Sequence, residues 1–208
     1  MSLTAQHSLP QRAAYTDEPI FRLTVDQYHE LIRSGKLTDD DPVELLEGIL
    51  VFKMPKNTPH ATATRLCRRA VEPLLPAEWF YDAQDPITLA DGEPEPDGMV
   101  VRGRIEDYVQ RHPGPGDIAL VIEVADSSLE RDRGIKMRSY ARAGIPVYWI
   151  LDLGGRGLEI YADPDPNAAP DPAYRRRDRL GGDQTVGLVL AGRFYGEIPV
   201  AAMLPPSQ

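Results

Sequence analysis

Apolar residues recur along the chain in two rhythms, one suited to helices and one to strands. Val25, Tyr28, Leu31 and Ile32 follow Thr24 at helical spacing, so the threonine hydroxyl predicts a helix start and Gly35 a stop. Residues 43–52, VELLEGILVF, read as two strands joined near Glu47-Gly48 in a tight hairpin. Alternation along the first strand sends Glu44 and Glu47 to opposite faces. A second helix is expected over 60–75, with Ala61, Leu66, Ala70, Val71 and Leu74 as its apolar stripe and Pro76 helping to stop it. Short strands are expected at 79–81, 87–89 and 98–101, a helical turn at 105–110, and a break at the HPGPG run, 112–116.

The second half is more strongly patterned. Residues 117–124, DIALVIEV, are nearly continuous and β-branched, which suits a central strand covered on both faces. Asp126, Ser127 and Ser128 then offer caps to a helix running to about 143, halted by Gly144 and Pro146. Residues 147–151, VYWIL, form another buried strand, and 157–161 pairs with it through the DLGGR turn. The Pro- and Asp-rich stretch 162–172 reads as a surface loop, followed by short strands near Tyr174, 186–190 and Phe194 and an apolar ending at 200–204. Strand, helix, strand over 117–151 is a crossover unit, which makes its two strands a parallel pair. The fold class is α/β, a mixed central sheet flanked by helices, with residues 1–20 as a loose tail and 21–208 as one domain.

An apolar share of 42% and a charged share of 26% describe a chain that folds in water, and no apolar run approaches the roughly 18–20 residues of a spanning helix. The N-terminal residues lack a charged start followed by an apolar run, and a single cysteine, Cys67, has no partner for a disulfide or a CxxC metal site. The cytoplasm is therefore the expected compartment. The net charge of −9 opposes a polyanionic partner in bulk, but the charge is uneven. Acids gather at Asp39, Asp40, Asp41, Glu44 and Glu47 and again at Asp91, Glu93, Glu95 and Asp97, while Arg131, Arg133, Lys136, Arg138 and Arg142, and then Arg175, Arg176, Arg177 and Arg179, form basic stretches. Such clusters suit a site that holds a cation and an anionic substrate together.

The most informative residue is Glu123, a charge inside an otherwise apolar strand, where it needs either a cation partner from the next helix or a bound ion. Asp97 stands beside another predicted strand; Pro-Asp-Gly is also ordinary turn chemistry. If the two carboxylates converge, a hard divalent ion such as Mg²⁺ relieves their repulsion and binds a substrate phosphate. Lys136 follows Glu123 on the next helix, where it either faces solvent or folds over the strand end to neutralise charge on a phosphate, with Tyr140 one turn further on. Ser127-Ser128 lacks the GxSxG elbow, and Cys67 lies in an arginine-flanked helix, so a serine or cysteine hydrolase is a poor reading.

PEPDGMVV at 94–101, then DIALVIEVADSSLERDRGIKMRSYARAGIPVYWILDL at 117–153, resembles the Uma2 family of the restriction-endonuclease-like PD-(D/E)xK superfamily, and ELLEGILVFK with the following Pro-rich turn and His60 extends the likeness to about residues 20–165. The resemblance implies a restriction-endonuclease-like fold and Mg²⁺- or Mn²⁺-dependent hydrolysis of nucleic acid, DNA in preference to RNA, by a homodimer. It implies Asp97 and Glu123 as metal ligands with Glu44 as the N-terminal acid that joins them, Lys136 as the catalytic lysine, and His60 as a further candidate. The lysine that usually sits two residues after the glutamate is replaced here by Ala125, which is why the role passes to Lys136. The pattern departs at Ile49, where an acid is usual, and at Glu47, where aspartate is usual. A nuclease-like fold kept as a binding or assembly module is the alternative, favoured by the acidic composition.

Overall fold

The computed structural model describes residues 19–38 and 40–206; most of the expected N-terminal tail, and Asp39, lie outside the described residues. Helix α1, Val25–Arg33, opens on Thr24, whose hydroxyl accepts the Gln27 amide while the Gln27 side chain returns to the Thr24 amide. Strands β1, Val43–Leu46, and β2, Ile49–Phe52, form the expected hairpin as a separate two-stranded sheet. Glu47 and Gly48 both take left-handed backbone, at φ 48° and 76°, the requirement of a type I′ turn.

Helix α2, Thr58–Val71, is capped by the Asn57 side chain and continues into a 3₁₀ turn, Glu72–Leu74. Its fully buried face is Ala63, Thr64, Cys67 and Val71, so the stripe expected through Ala61, Leu66 and Leu74 is rotated toward smaller residues that admit close approach to the sheet. A six-stranded sheet follows in the order β3-β4-β5-β6-β7-β8: Trp79–Asp82, Gly98–Arg102, Ile118–Ala125, Val147–Asp152, Gly157–Asp165 and Ala173–Gly181. Its one parallel pair is β5 with β6, as the crossover requires, and β5 is buried along its whole length.

Three expectations change. Residues 87–89 form no strand although Ile87 and Leu89 are buried: their amides reach the carbonyls of Pro94 and Gly92, while Thr88 reaches Pro113, and prolines cannot return a ladder bond. The helix expected over 129–143 is broken into α3, Leu129–Arg131, a π turn, Asp132–Lys136, and α4, Met137–Ala143, with Gly134 in non-helical backbone (φ −99°, ψ −106°). The loop expected at 162–172 shrinks to 166–172. Beyond Ala162, β7 pairs only with β8, so Pro164 lacks no bond to β6. Val200, Met203 and Leu204 of the apolar ending are buried in the chain's own core.

Strands β9, Thr185–Leu190, and β10, Arg193–Pro199, make a second hairpin sheet. With α2 and the C-terminal turn they cover one sheet face around Leu120, Ile122, Trp149 and Leu158. Helix α4 covers the other face, where Tyr140, Tyr148, Tyr161 and Tyr174 pack ring against ring at centroid spacings of 5.0, 5.7 and 6.0 Å. Glu123 projects toward this second face, across from Ile150.

Candidate active site

The β1–β2 hairpin, the segment entering β4 and the turn after β5 meet at the carboxyl end of β5 and enclose a polar cleft of about 60 Å³, room for an ion and a few waters and too small for a base. Five carboxylates line it, Glu44, Glu95, Asp97, Glu123 and Asp132, against Lys53, Lys56, Arg131, Lys136 and His60. Residues 26 apart in sequence are brought together by one backbone contact. Asp97 enters β4, and its Oδ2 accepts the amide of Val124, the residue after Glu123, at 2.9 Å. Pro-Asp-Gly is thus no simple turn here. Gly98 begins β4, and a Cβ on it would lie 1.9 Å from the Tyr81 hydroxyl, so close strand packing demands the glycine.

Lys136 sits at the centre. Its ammonium donates to Glu123 Oε1 at 2.8 Å and stands 3.5 Å from Glu44 Oε2, and all three side chains are buried. Tyr140 donates its hydroxyl to the same Glu123 oxygen at 2.9 Å. The ion pair with a helix lysine and the placement over the strand end are one and the same arrangement. Glu44 also accepts the Glu95 amide at 3.1 Å, and its second oxygen lies 3.8 Å from Arg131, which donates to the Phe52 carbonyl at 2.7 Å. Arg131 and Lys136 would be about 140° apart around a regular α-helix. The π turn at Gly134 aligns positions five apart and brings both cations to one carboxylate.

Asp97 is shared with His60, whose Nε2 is 3.0 Å from Oδ2, and with Lys56, 3.7 Å from Oδ1. His60 is fixed by the capped start of α2, its amide donating to Asn57 Oδ1 at 3.0 Å, while its Nδ1 is buried without a partner among the described residues. Burial favours the neutral acid at Asp97, but the hydrogen bond and charge of His60, the Val124 amide and Lys136 outweigh it and hold the carboxyl below its usual range. At Glu123 the balance is opposite: burial, aided by Asp132 and Asp97, pushes the carboxyl up to about 8 against the pull of Lys136. Burial also disfavours the Lys136 ammonium, yet Glu123, Glu44 and Asp132 together raise its pKa.

All five residues singled out from the sequence, Glu44, His60, Asp97, Glu123 and Lys136, therefore line one cleft, and Glu47 faces away, paired with Arg138 at 3.3 Å and Arg142 at 3.1 Å. Asp132 was not among the candidates. It is buried, accepts the Ser128 hydroxyl at 2.6 Å, and burial raises its carboxyl to about 6. Its signal was available: Asp132, Lys136 and Tyr140 recur every four residues. Lys56, in the turn before α2, carried no such signal.

Glu44, Asp97 and Glu123 offer the hard oxygen donors that Mg²⁺ prefers, and the ion commonly takes only one or two carboxylates with waters. The donor chemistry fits such an ion. The chain's own ammonium groups now balance these acids, and among the described residues no three His, Cys, Asp or Glu side chains stand ready to enclose a metal.

A family model for Uma2, described as "Putative restriction endonuclease", matches residues 25–193. No curated protein matches the chain. Among solved structures, the crystal structure of "a putative nuclease belonging to DUF820" from Anabaena variabilis is similar in fold, with a TM-score of 0.59 at 16% identity over 87% of this chain and 97% of that one. Among the described residues, no helix is long and apolar enough to cross a membrane.

Proposed function

The chain belongs to the Uma2 family, and we propose that its cleft is the active centre of a metal-dependent endonuclease that hydrolyses phosphodiester bonds of DNA. The observation that carries this reading is the delivery of Asp97 and Glu123 to adjoining positions through the Val124 amide, with the Lys136 ammonium between Glu123 and Glu44.

Asp97, Glu123 and Glu44 would hold Mg²⁺ or Mn²⁺, which when bound supplies Lewis acidity at the phosphate and a more acidic water. Lys136, freed from one of its two acids, is placed to neutralise charge that develops on a phosphoryl oxygen. Tyr140 fixes the Glu123 oxygen, and its hydroxyl stays protonated because burial, with Glu123 beside it, raises its pKa well above the usual value. His60 acts as a positioning residue: its Nε2 orients Asp97, and its Nδ1 is buried away from solvent.

The test is cleavage of supercoiled plasmid DNA with added Mg²⁺. Asp97→Ala and Glu123→Ala should each abolish nicking while the fold, followed by circular dichroism, persists. Undiminished cleavage by both variants would overturn the assignment. One observation favours a second reading, a nuclease-like fold serving as a binding module: every one of Glu44, Asp97 and Glu123 already has a cationic partner in the chain. That reading predicts no cleavage and no divalent-ion binding by the wild type.

A further inference from the structure

We propose that Arg177 and Arg179 on β8, with Arg133 from the π turn, form the track on which the backbone of duplex DNA lies while the cleft acts on it; this rests on the nuclease reading above. At a net charge of −9 the molecule as a whole repels DNA, so a DNA-binding surface has to be local and fixed in place. Alternation along β8 provides one. Arg177 and Arg179 pair across from Tyr161 and Glu159, on the sheet face that carries Glu123, whereas Arg176 turns to the opposite face beside Trp149 and Ile160.

Two buried carboxylates hold these guanidinium groups from below. Glu159, with no exposure, accepts from Arg177 at 3.1 Å and from Arg133 Nε at 3.2 Å, and Asp152 lies 3.3 Å from Arg179. Arg177 also lies over the Tyr161 ring at 5.3 Å. Each of the two β8 arginines engages its acid through a single nitrogen, Nη2, and the side chains remain 55% and 54% exposed, so the rest of each fork is turned to solvent. A guanidinium held on one edge and open on the other is arranged for phosphate oxygens. Glu130, 95% exposed, also lies 3.9 Å from Arg133, so three cations stand against three acids, and what the row offers a phosphate is its open guanidinium edges.

The position suits a substrate shared with the cleft. Glu123 pairs with Ile150, Ile150 with Glu159 and Glu159 with Arg179, so the arginine row is three strand steps, roughly 14 Å, from the glutamate. That separation corresponds to about four base-pair rises along a duplex. Arg133 lies three residues before Lys136 and bridges the interval.

The experiment is fluorescence anisotropy of a short labelled DNA duplex with the full chain in EDTA, as a function of salt. Arg177→Gln and Arg179→Gln should each weaken binding about fivefold or more and make the slope of log K against log salt shallower by about one, while Arg176→Gln binds as wild type. Without any substitution, bound duplex should protect Arg177 and Arg179, and not Arg176, from phenylglyoxal, which keeps the question open to measurement if a variant fails to fold. Wild-type affinity in both glutamine variants, or equal protection of all three arginines, overturns the track. Asp97→Ala separates the two readings: it should bind duplex normally and not cut it. Normal binding and cutting by the β8 variants would remove the track and leave the nuclease intact, and loss of cutting without loss of binding would also count against the track.

Discussion

Replacing Lys136 by methionine removes one positive charge from the middle of the cleft at nearly constant volume. Lys136 is 6% exposed, and its ammonium lies 2.8 Å from Glu123 and 3.5 Å from Glu44, so its loss strands two buried carboxylates. Breaking a buried pair by deleting one partner costs about 3–5 kcal/mol, a large part of a typical stability of about 5–15 kcal/mol. The cost should fall as the solution is acidified, because burial already pushes Glu123 up to about 8 and a protonated carboxyl no longer needs the lysine. Urea denaturation at pH 8 and pH 5.5 measures both quantities. Mg²⁺ should recover part of the loss at pH 8, by about 2.7 kcal/mol at a hundred times its dissociation constant, and should stabilise the variant more than the wild type, whose lysine has to be displaced. A loss under about 1 kcal/mol at both pH values, unaffected by Mg²⁺, would refute the reasoning.

Glu123→Gln should flatten the pH dependence of stability. With a folded pKa near 8 against an ordinary 4.5, the unfolded chain releases this proton first, so the contribution of Glu123 is complete below about 4.5 and is lost as pH rises through 8. Urea midpoints that decline equally in wild type and variant between pH 5 and 8 would contradict this. Gly98→Ala places a Cβ 1.9 Å from the Tyr81 hydroxyl and should cost at least about 1–3 kcal/mol, visible as a melting temperature lower by several degrees. An unchanged melting temperature would show that β3 and β4 separate more easily than their packing suggests.

Much of this architecture is legible in the chain because its strongest signals are local. The β-branched run of β5 suits a strand buried on both sides, as the structure has it, and the carboxylate within it stands out from the sequence alone. Asp97 stands beside a predicted strand as a possible partner of Glu123, but its proline-rich surroundings also read as a turn, and family resemblance favours the first reading. What alternation and periodicity do not carry is the exception to them. Gly134 is tolerated in a helix by propensity alone, and only the competition of Arg131 and Lys136 for Glu44 shows why the helix opens there. Ile87 and Leu89 alternate as a strand should, yet Pro94 and Pro113, opposite Ile87 and Thr88, cannot complete a ladder. Asp132 passes for a solvated helix residue unless its four-residue spacing to Lys136 and Tyr140 is read as one face. The β7 and β8 extensions stay hidden in a Pro- and Asp-rich stretch because edge pairing needs only one neighbour.

The charge-balanced cleft is tested most directly by calorimetric titration of Mg²⁺, with Mn²⁺ as a second probe, into the wild type, Asp97→Ala and Glu123→Ala at pH 8. Saturable heat in the wild type that disappears in both variants is the predicted result. No heat in the wild type, or the same heat in all three proteins, would contradict a cation site built from these two acids.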